Sequence, residues 1–121
     1  TIFGDCNQVR DLLFIDDLVD LYLEAWAKRL TGVYPVGGGP ENAISFKQGI
    51  QLIESLTGRK YAAIGHGPTR HGDQPYFVAN LEWTKAAGLT WKPKIAYREG
   101  LQQMLDWARG RIALLRNMHG A

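Results

Sequence analysis

The 121-residue chain has a single cysteine, Cys6. One cysteine cannot form an internal disulfide, and it leaves no Cys-x-x-Cys pair to bind zinc. No apolar run approaches the roughly 20 residues that span a bilayer, and the first residues lack the basic start and apolar middle of a signal peptide. We therefore expect a soluble protein in a reducing, cytoplasmic setting.

The chain also has little net charge. Its 14 lysines and arginines nearly balance 12 aspartates and glutamates, giving a net charge of +2, and the basic residues are scattered. Because nonspecific nucleic-acid binding needs dense neutralisation of phosphates, we do not expect a nucleic-acid partner. The hydrophobic content is 45%, and there is no internal repeat or long linker. Residues 1–121 are therefore predicted to form one domain around one core.

Short extended segments alternate with helical patterns, which predicts a small α/β domain with about three main helices. Apolar residues at helical spacing indicate helices within residues 18–26, 46–56 and 97–115. Extended segments are predicted at residues 12–15, 33–36, 61–64 and 76–79, and a frayed tail at 117–121. The four tryptophans are expected to fill the core by default.

Polar residues indicate where helices begin and end. Asp16 is the predicted cap of the first helix, and Ser45 with Gln48 matches a capping box for the second. Gly58 is expected to end the second helix. Asn80 is predicted to cap a short helix that stops near Gly88.

Arg10 and Arg70 are the strongest candidates for a binding site. A guanidinium group donates a fork of hydrogen bonds that matches a diphosphate. The structural alternative is that Arg10 forms an ion pair with Asp11 or Asp73, while Arg70 is a solvated loop residue. Residue types alone favour this alternative, since paired charges are often structural.

The glycine run 37–39 could offer backbone N–H groups to an anion. It lacks the Gly-x-Gly-x-x-Gly spacing, so a tight turn is the favoured interpretation. Asp16, Asp17 and Asp20 could suggest acid/base or metal chemistry, but consecutive helix positions diverge by about 100°, which favours structural roles.

Two histidines, His66 and His71, share a polar loop. No third ligand accompanies them, so no metal site is predicted. Cys6 has no local base that would activate it. An independent hydrolase is disfavoured because nucleophile, base and orienting acid are not found together.

Several short segments occur in a distinctive order along the chain: Phe3-Gly4-Asp5, Arg10-Asp11, Asp16-Asp17-Leu18, Gly37 to Asn42, Leu56-Thr57-Gly58, Arg70 with Gly72-Asp73-Gln74, and Trp91-Lys92-Pro93. Their order and rough spacing resemble the C-terminal substrate-binding domain of extended short-chain dehydrogenases/reductases that act on nucleotide sugars. The Gly-Gly-Gly-Pro-Glu-Asn and Gly-Asp-Gln-Pro-Tyr segments look closest to the branch containing CDP-paratose 2-epimerase. Ala96 departs from the pattern, because it stands where a helix-capping serine is typical and forgoes about 1 kcal/mol of cap stabilisation.

This resemblance implies that the residues matching Arg10 and Arg70 grip the phosphates of a nucleotide-diphosphate sugar. Neighbouring residues become weaker candidates for contacts with the ribose or base. The implied substrate-binding residues are Gln8, Val9, Arg10, Arg70, Asp73 and Gln74.

The same resemblance implies that catalysis belongs to an N-terminal Rossmann domain that binds NAD. That domain carries a glycine-rich phosphate loop and a Tyr-x-x-x-Lys pair, and neither occurs in these 121 residues. We therefore expect no catalytic residue here and no cofactor bound by this chain alone. The leading interpretation is the nucleotide-sugar-binding portion of an NAD-dependent epimerase or dehydratase. The alternative is a stand-alone, non-catalytic module or gene remnant that binds a ligand or protein and could act as a dimer.

Overall fold

The computed structural model describes residues 1–61 and 64–114. Its elements follow in the order β1 (Ile2–Phe3), β2 (Val9–Asp11), α1 (Ile15–Ala27), a 3-10 turn (Pro40–Asn42), β3 (Ala43–Ser45), α2 (Phe46–Thr57), β4 (His66–Gly67), β5 (Tyr76–Phe77), α3 (Glu82–Ala86) and α4 (Tyr97–Arg109). The predicted small α/β fold with three main helices is confirmed.

The strands form two small sheets. β1 pairs in parallel with β4, and Phe3 lies opposite Gly67. In the other sheet β2 is central, antiparallel to β3 and parallel to β5. Both β1 and β2 therefore pair with a strand that follows α2, so segments distant in the chain meet at these sheets.

The core lies between α1 and the segment that precedes α4. Leu21, Leu89 and Trp91 form a buried cluster, and the Trp91 indole donates to the Asp17 carbonyl oxygen at 2.7 Å. The Asp17 side chain accepts the backbone N–H groups of residues 94 and 95 at 3.1 and 3.0 Å. A buried carboxylate with two such donors fastens this segment to α1, so Asp17 has the structural role that the sequence favoured.

The helix ends agree with the sequence in most places. The capping box is confirmed, because the Gln48 N–H donates to Ser45 Oγ and Gln48 Oε1 accepts the Ser45 N–H. Gly58 adopts φ 66° just after α2, as predicted for a helix end. The prediction for Asn80 holds only in part: Asn80 Oδ1 accepts the Glu82 N–H at 2.9 Å, but the N-cap residue of α3 is Leu81. The prediction for Asp16 is wrong, because α1 begins one residue earlier and Asp16 lies inside its first turn.

Several predicted extended segments are wrong or shorter than expected. The run 12–15 lies between β2 and α1 and overlaps the first helical residue, and residues 33–36 form no strand. Residues 76–79 contribute a strand of only two residues. Tyr61 and Ile64 are not in a strand, and the rest of the predicted segment 61–64, like residues 115–121, lies outside the described residues.

The tryptophans divide between core and surface. Trp91 is buried as expected, whereas Trp26 is 81% exposed and Trp107 is 52% exposed. Trp83 is partly buried and stacks on Tyr34, with ring centroids 4.5 Å apart. Assigning all four to the core was therefore wrong for Trp26 and Trp107, since both stand on the outward side of their helices.

Candidate functional site

Arg10 stands in the middle of β2, the central strand of its sheet. Its Nη1 donates to the Val9 carbonyl oxygen at 2.7 Å, and its Nη2 lies 3.6 Å from Asp73 Oδ1. About a third of each side chain in this ion pair is exposed, 32% for Arg10 and 30% for Asp73. A long, solvated pair contributes roughly 0 to 1 kcal/mol, so another anion can replace Asp73 at little cost.

Arg70 lies in the loop between β4 and β5. The Arg70 carbonyl oxygen accepts the Asp73 N–H at 3.2 Å, and Gly72 takes φ 80° within this turn. The turn thereby returns the chain from Arg70 to Asp73, which contacts Arg10. The Arg70 guanidinium carbon lies 3.8 Å from the centre of the Phe3 ring. Within residues 1–61 and 64–114, the Arg70 guanidinium forms no hydrogen bond or ion pair.

The other candidate residues lie at different depths. Gln8 is only 7% exposed; its Nε2 donates to the Phe3 carbonyl oxygen at 2.9 Å, and its Oε1 is buried with no partner among the described residues. The Val9 N–H donates to the Pro75 carbonyl oxygen at 2.9 Å, which links β2 to the start of β5. Gln74 is exposed in the loop. The fold thus brings Arg10 and Asp73 into contact, connects Arg70 to them through one turn, and places Gln8 beneath the surface.

The glycine run 37–39 is buried against β2. A Cβ atom on Gly38 would lie 1.9 Å from the Leu12 carbonyl oxygen. The Gly39 N–H donates to Asp11 Oδ2 at 2.9 Å, and the Ala79 N–H donates to the same oxygen at 3.0 Å. These contacts fit the tight-turn interpretation, because the Gly39 N–H that could bind an anion already donates to the Asp11 carboxylate.

Asn42 is a structural residue that the sequence analysis missed. It is 5% exposed, its Nδ2 donates to the Gly38 carbonyl oxygen at 3.2 Å, and its Oδ1 accepts the Tyr97 N–H at 2.8 Å. Asn42 therefore satisfies the start of α4, where Ala96 has no side chain to do so. The available signal was a polar residue at the end of the Gly-Gly-Gly-Pro-Glu-Asn segment.

Much of the outward surface of α1 is apolar, although Asp16 and Asp20 are exposed as well. We call its apolar part the α1 face; it consists of Ile15, Val19, Tyr22, Leu23 and Trp26, which are 46 to 81% exposed. At the N-terminal end of α1 an apolar cavity of about 280 Å³ opens between this helix and α4, lined in part by Phe14, Ile15, Leu101 and Met104. Large apolar side chains at helical spacing on a surface make the α1 face a candidate contact surface.

Both histidines of the predicted polar loop lie within residues 1–61 and 64–114, which the structure describes. His66 lies in β4 and His71 in the following loop, and both are exposed. Across the described residues, no three His, Cys, Asp or Glu side chains are grouped so that they could hold a metal ion. Nor does any helix among them have the length and apolar character needed to cross a membrane.

The chain is similar in sequence to known proteins over most of its own length. No family model matches the chain. The chain is 32% identical over 112 residues to CDP-paratose 2-epimerase of Salmonella typhi, covering 88% of this chain and 32% of that protein. It is 31% identical over 117 residues to UDP-glucuronate 4-epimerase of Thermodesulfobacterium geofontis, covering 97% of this chain and 35% of the relative.

Solved structures give the same relationship. UDP-glucose 4-epimerase of Thermotoga maritima, determined with UDP-glucose, superposes with a TM-score of 0.75 at 29% identity, covering 92% of this chain and 35% of that one. dTDP-glucose 4,6-dehydratase of Bacillus anthracis, in complex with NAD, superposes with a TM-score of 0.75 at 26% identity, covering 90% and 34%. The chain spans about a third of the length of these relatives. It therefore belongs to the extended short-chain dehydrogenase/reductase family of NDP-sugar epimerases and dehydratases, and it corresponds to their C-terminal third.

Proposed function

We propose that this chain is the nucleotide-sugar-binding portion of an NAD-dependent NDP-sugar epimerase or dehydratase, and that it does not catalyse the reaction by itself. The observation that carries the proposal is how few contacts the guanidinium groups of Arg10 and Arg70 make. Arg10 is held by a hydrogen bond to the Val9 carbonyl oxygen and by a long ion pair with Asp73. The Arg70 guanidinium uses none of its donors within the described residues. Two guanidinium groups with free or replaceable partners suit a diphosphate, whose oxygens accept paired hydrogen bonds.

The surrounding contacts support a division of roles. Asp73 pairs with Arg10 when no ligand is bound, and the diphosphate replaces Asp73 as the partner of Arg10 when it binds. Val9 fixes the strand that carries Arg10, and Gln8 fixes β1 beneath Arg70 through the Phe3 carbonyl. Gln74 is free to contact the ribose or base from the exposed loop.

NAD is the cofactor that the family uses, and it supplies hydride transfer at the sugar when bound. The residues of this chain do not fit it. The glycine run is buried, and its Gly39 N–H is bonded to the Asp11 carboxylate, so it offers no cradle for a pyrophosphate. We propose that NAD binds to the remainder of the enzyme, and that this chain binds the sugar nucleotide.

We also propose that the α1 face packs against that remainder. The relatives are about three times as long as this chain, and the face presents five large apolar side chains to solvent. The second candidate, a stand-alone module that dimerises, rests on the same face, because an exposed apolar patch promotes self-association. Sedimentation of the 121-residue chain separates them. A monomer supports packing of the α1 face against the remainder of the enzyme. A dimer that the Leu23→Glu substitution dissociates supports the stand-alone module.

The central proposal is tested by calorimetric titration with CDP, UDP and dTDP, and with the matching nucleosides. Arg10→Ala and Arg70→Ala each remove a charged hydrogen-bond donor worth roughly 1.5 to 3 kcal/mol. We therefore expect each variant to weaken diphosphate affinity about tenfold or more, while nucleoside affinity stays unchanged. Arg59→Ala, which removes an exposed arginine after α2, is the matched control. Equal losses for diphosphate and nucleoside would contradict the phosphate role.

A further inference from the structure

Phe3 lies directly beneath the Arg70 guanidinium. The guanidinium carbon is 3.8 Å from the ring centre, well inside the roughly 6 Å range of a cation–π contact. Arg70 itself is exposed in its loop. A long side chain at such a position normally samples several rotamers, so the ring is the feature that selects one of them.

The position of the ring is fixed by the strands around it. Phe3 lies opposite Gly67 in the parallel pair of β1 and β4, and a Cβ atom on Gly67 would come within 2.8 Å of the ring. The absence of that atom allows the ring to lie across β4. On the other side, Gln8 Nε2 donates to the Phe3 carbonyl oxygen at 2.9 Å. Backbone pairing and a buried glutamine thus place the ring independently of any ligand.

The two arginines are held in different ways. The Arg10 guanidinium donates to the Val9 carbonyl oxygen and pairs with Asp73. A phosphate must therefore compete with these two partners for the N–H groups of Arg10. Arg70 is held by the face of a ring, a contact that uses none of its N–H groups. A stacked guanidinium keeps all five donors in its own plane, where they are available to an anion beside the ring.

We infer that Phe3 is a positioning residue for Arg70, holding the guanidinium in a fixed plane with its donors free for the diphosphate. This inference rests on the proposed function. Ordering a free arginine side chain costs binding free energy, and a side chain that is already ordered avoids much of that cost. At an exposed site the cation–π contact corresponds to about a two- to fivefold effect on affinity.

A double-mutant cycle tests the inference. Phe3→Leu should weaken binding of the tightest of CDP, UDP and dTDP by about two- to fivefold, whereas Phe3→Tyr keeps the ring face and should bind as the natural chain does. In an Arg70→Gln background the Phe3→Leu loss should disappear. Gly67→Ala should reproduce the Phe3→Leu loss, because it displaces the ring without altering it. A Phe3→Leu loss of equal size in both backgrounds would overturn the positioning role.

A ligand-free measurement keeps the inference separate from the proposed function. Protons above an aromatic ring resonate upfield, so the Arg70 Nε–H and Cδ protons should move downfield in Phe3→Leu and stay in place in Phe3→Tyr. If none of the nucleotides binds the natural chain, the proposed function of the isolated chain fails, and the proton shifts alone decide the contact. Unchanged Arg70 shifts in a folded Phe3→Leu chain would refute the inference.

Discussion

Asn42 connects the buried glycine turn to the start of α4, and its replacement by alanine should be costly. Its side chain accepts the Tyr97 N–H at 2.8 Å and donates to the Gly38 carbonyl oxygen at 3.2 Å, at a site that is 5% exposed. Each hydrogen bond contributes about 0.5 to 1.5 kcal/mol, and leaving its buried partner unpaired costs more. Loss of a helix cap alone costs about 1 kcal/mol. We therefore expect Asn42→Ala to lower the free energy of unfolding by about 2 to 3 kcal/mol.

Urea denaturation followed by far-UV circular dichroism measures this loss. The midpoint should fall while the slope stays constant, since the variant changes stability and not the surface exposed on unfolding. Glu41→Ala, at the exposed neighbouring position, should stay within about 0.5 kcal/mol of the natural chain. In the Asn42→Ala background, Ala96→Ser should recover about 1 kcal/mol by capping α4 locally. An Asn42→Ala loss no larger than that of Glu41→Ala would refute the capping role.

Three further predictions concern stability. The Thr90 backbone N–H, which the Glu24 carboxylate accepts at 2.7 Å, is the main cause of a lowered pKa of Glu24. The ionised Glu24 therefore contributes to the free energy of unfolding above its ordinary pKa of 4.5. This contribution is lost as the pH falls through the folded-state pKa. The stability difference between the natural chain and Glu24→Gln should therefore shrink on acidification, and a difference independent of pH would contradict this. Gly38→Ala should destabilise strongly or prevent folding, because its Cβ would lie 1.9 Å from the Leu12 carbonyl oxygen. Gly49→Ala in α2, with nothing within 4 Å of its Cβ, should stabilise by about 0.5 to 1 kcal/mol, and thermal midpoints of similar value for the two variants would contradict the packing argument.

Local features of this fold could be predicted from the sequence. The Ser45 to Gln48 capping box and the end of α2 at Gly58 depend on residues a few positions apart, and both were found. The N-cap of α1 was predicted at Asp16, two residues too late, because the observed N-cap, Phe14, makes no side-chain cap hydrogen bond. Helix termini of this kind leave no polar signal in the sequence.

Features that depend on distant partners were not predicted. The cap of α4 comes from Asn42, 55 residues away, and the strands are so short that pairing, rather than β propensity, defines them. Trp26 was assigned to the core because helical spacing identifies an apolar stripe but does not show whether the core of the same domain covers it. For the candidate site, Arg10, Arg70 and Asp73 stay predicted binding residues, and the contact of Arg10 with Asp73 had been weighed from the sequence. The contact of Arg70 with Phe3 could not be predicted, because it depends on the register of β1 with β4.

The strand pairings also join segments that are far apart in the chain. β1 and β2 meet strands beyond α2, and the Asp11 to Ala79 hydrogen bond closes 68 residues of chain. Closing such a loop costs entropy that a helix, built from local contacts, does not incur. Partly open states can therefore keep α1 and α2 while the strands that carry Phe3 and Arg10 are apart. A bound nucleotide would favour the closed form. We therefore expect nucleotide binding to slow amide hydrogen exchange in β1 and β2 and to change it little in α2.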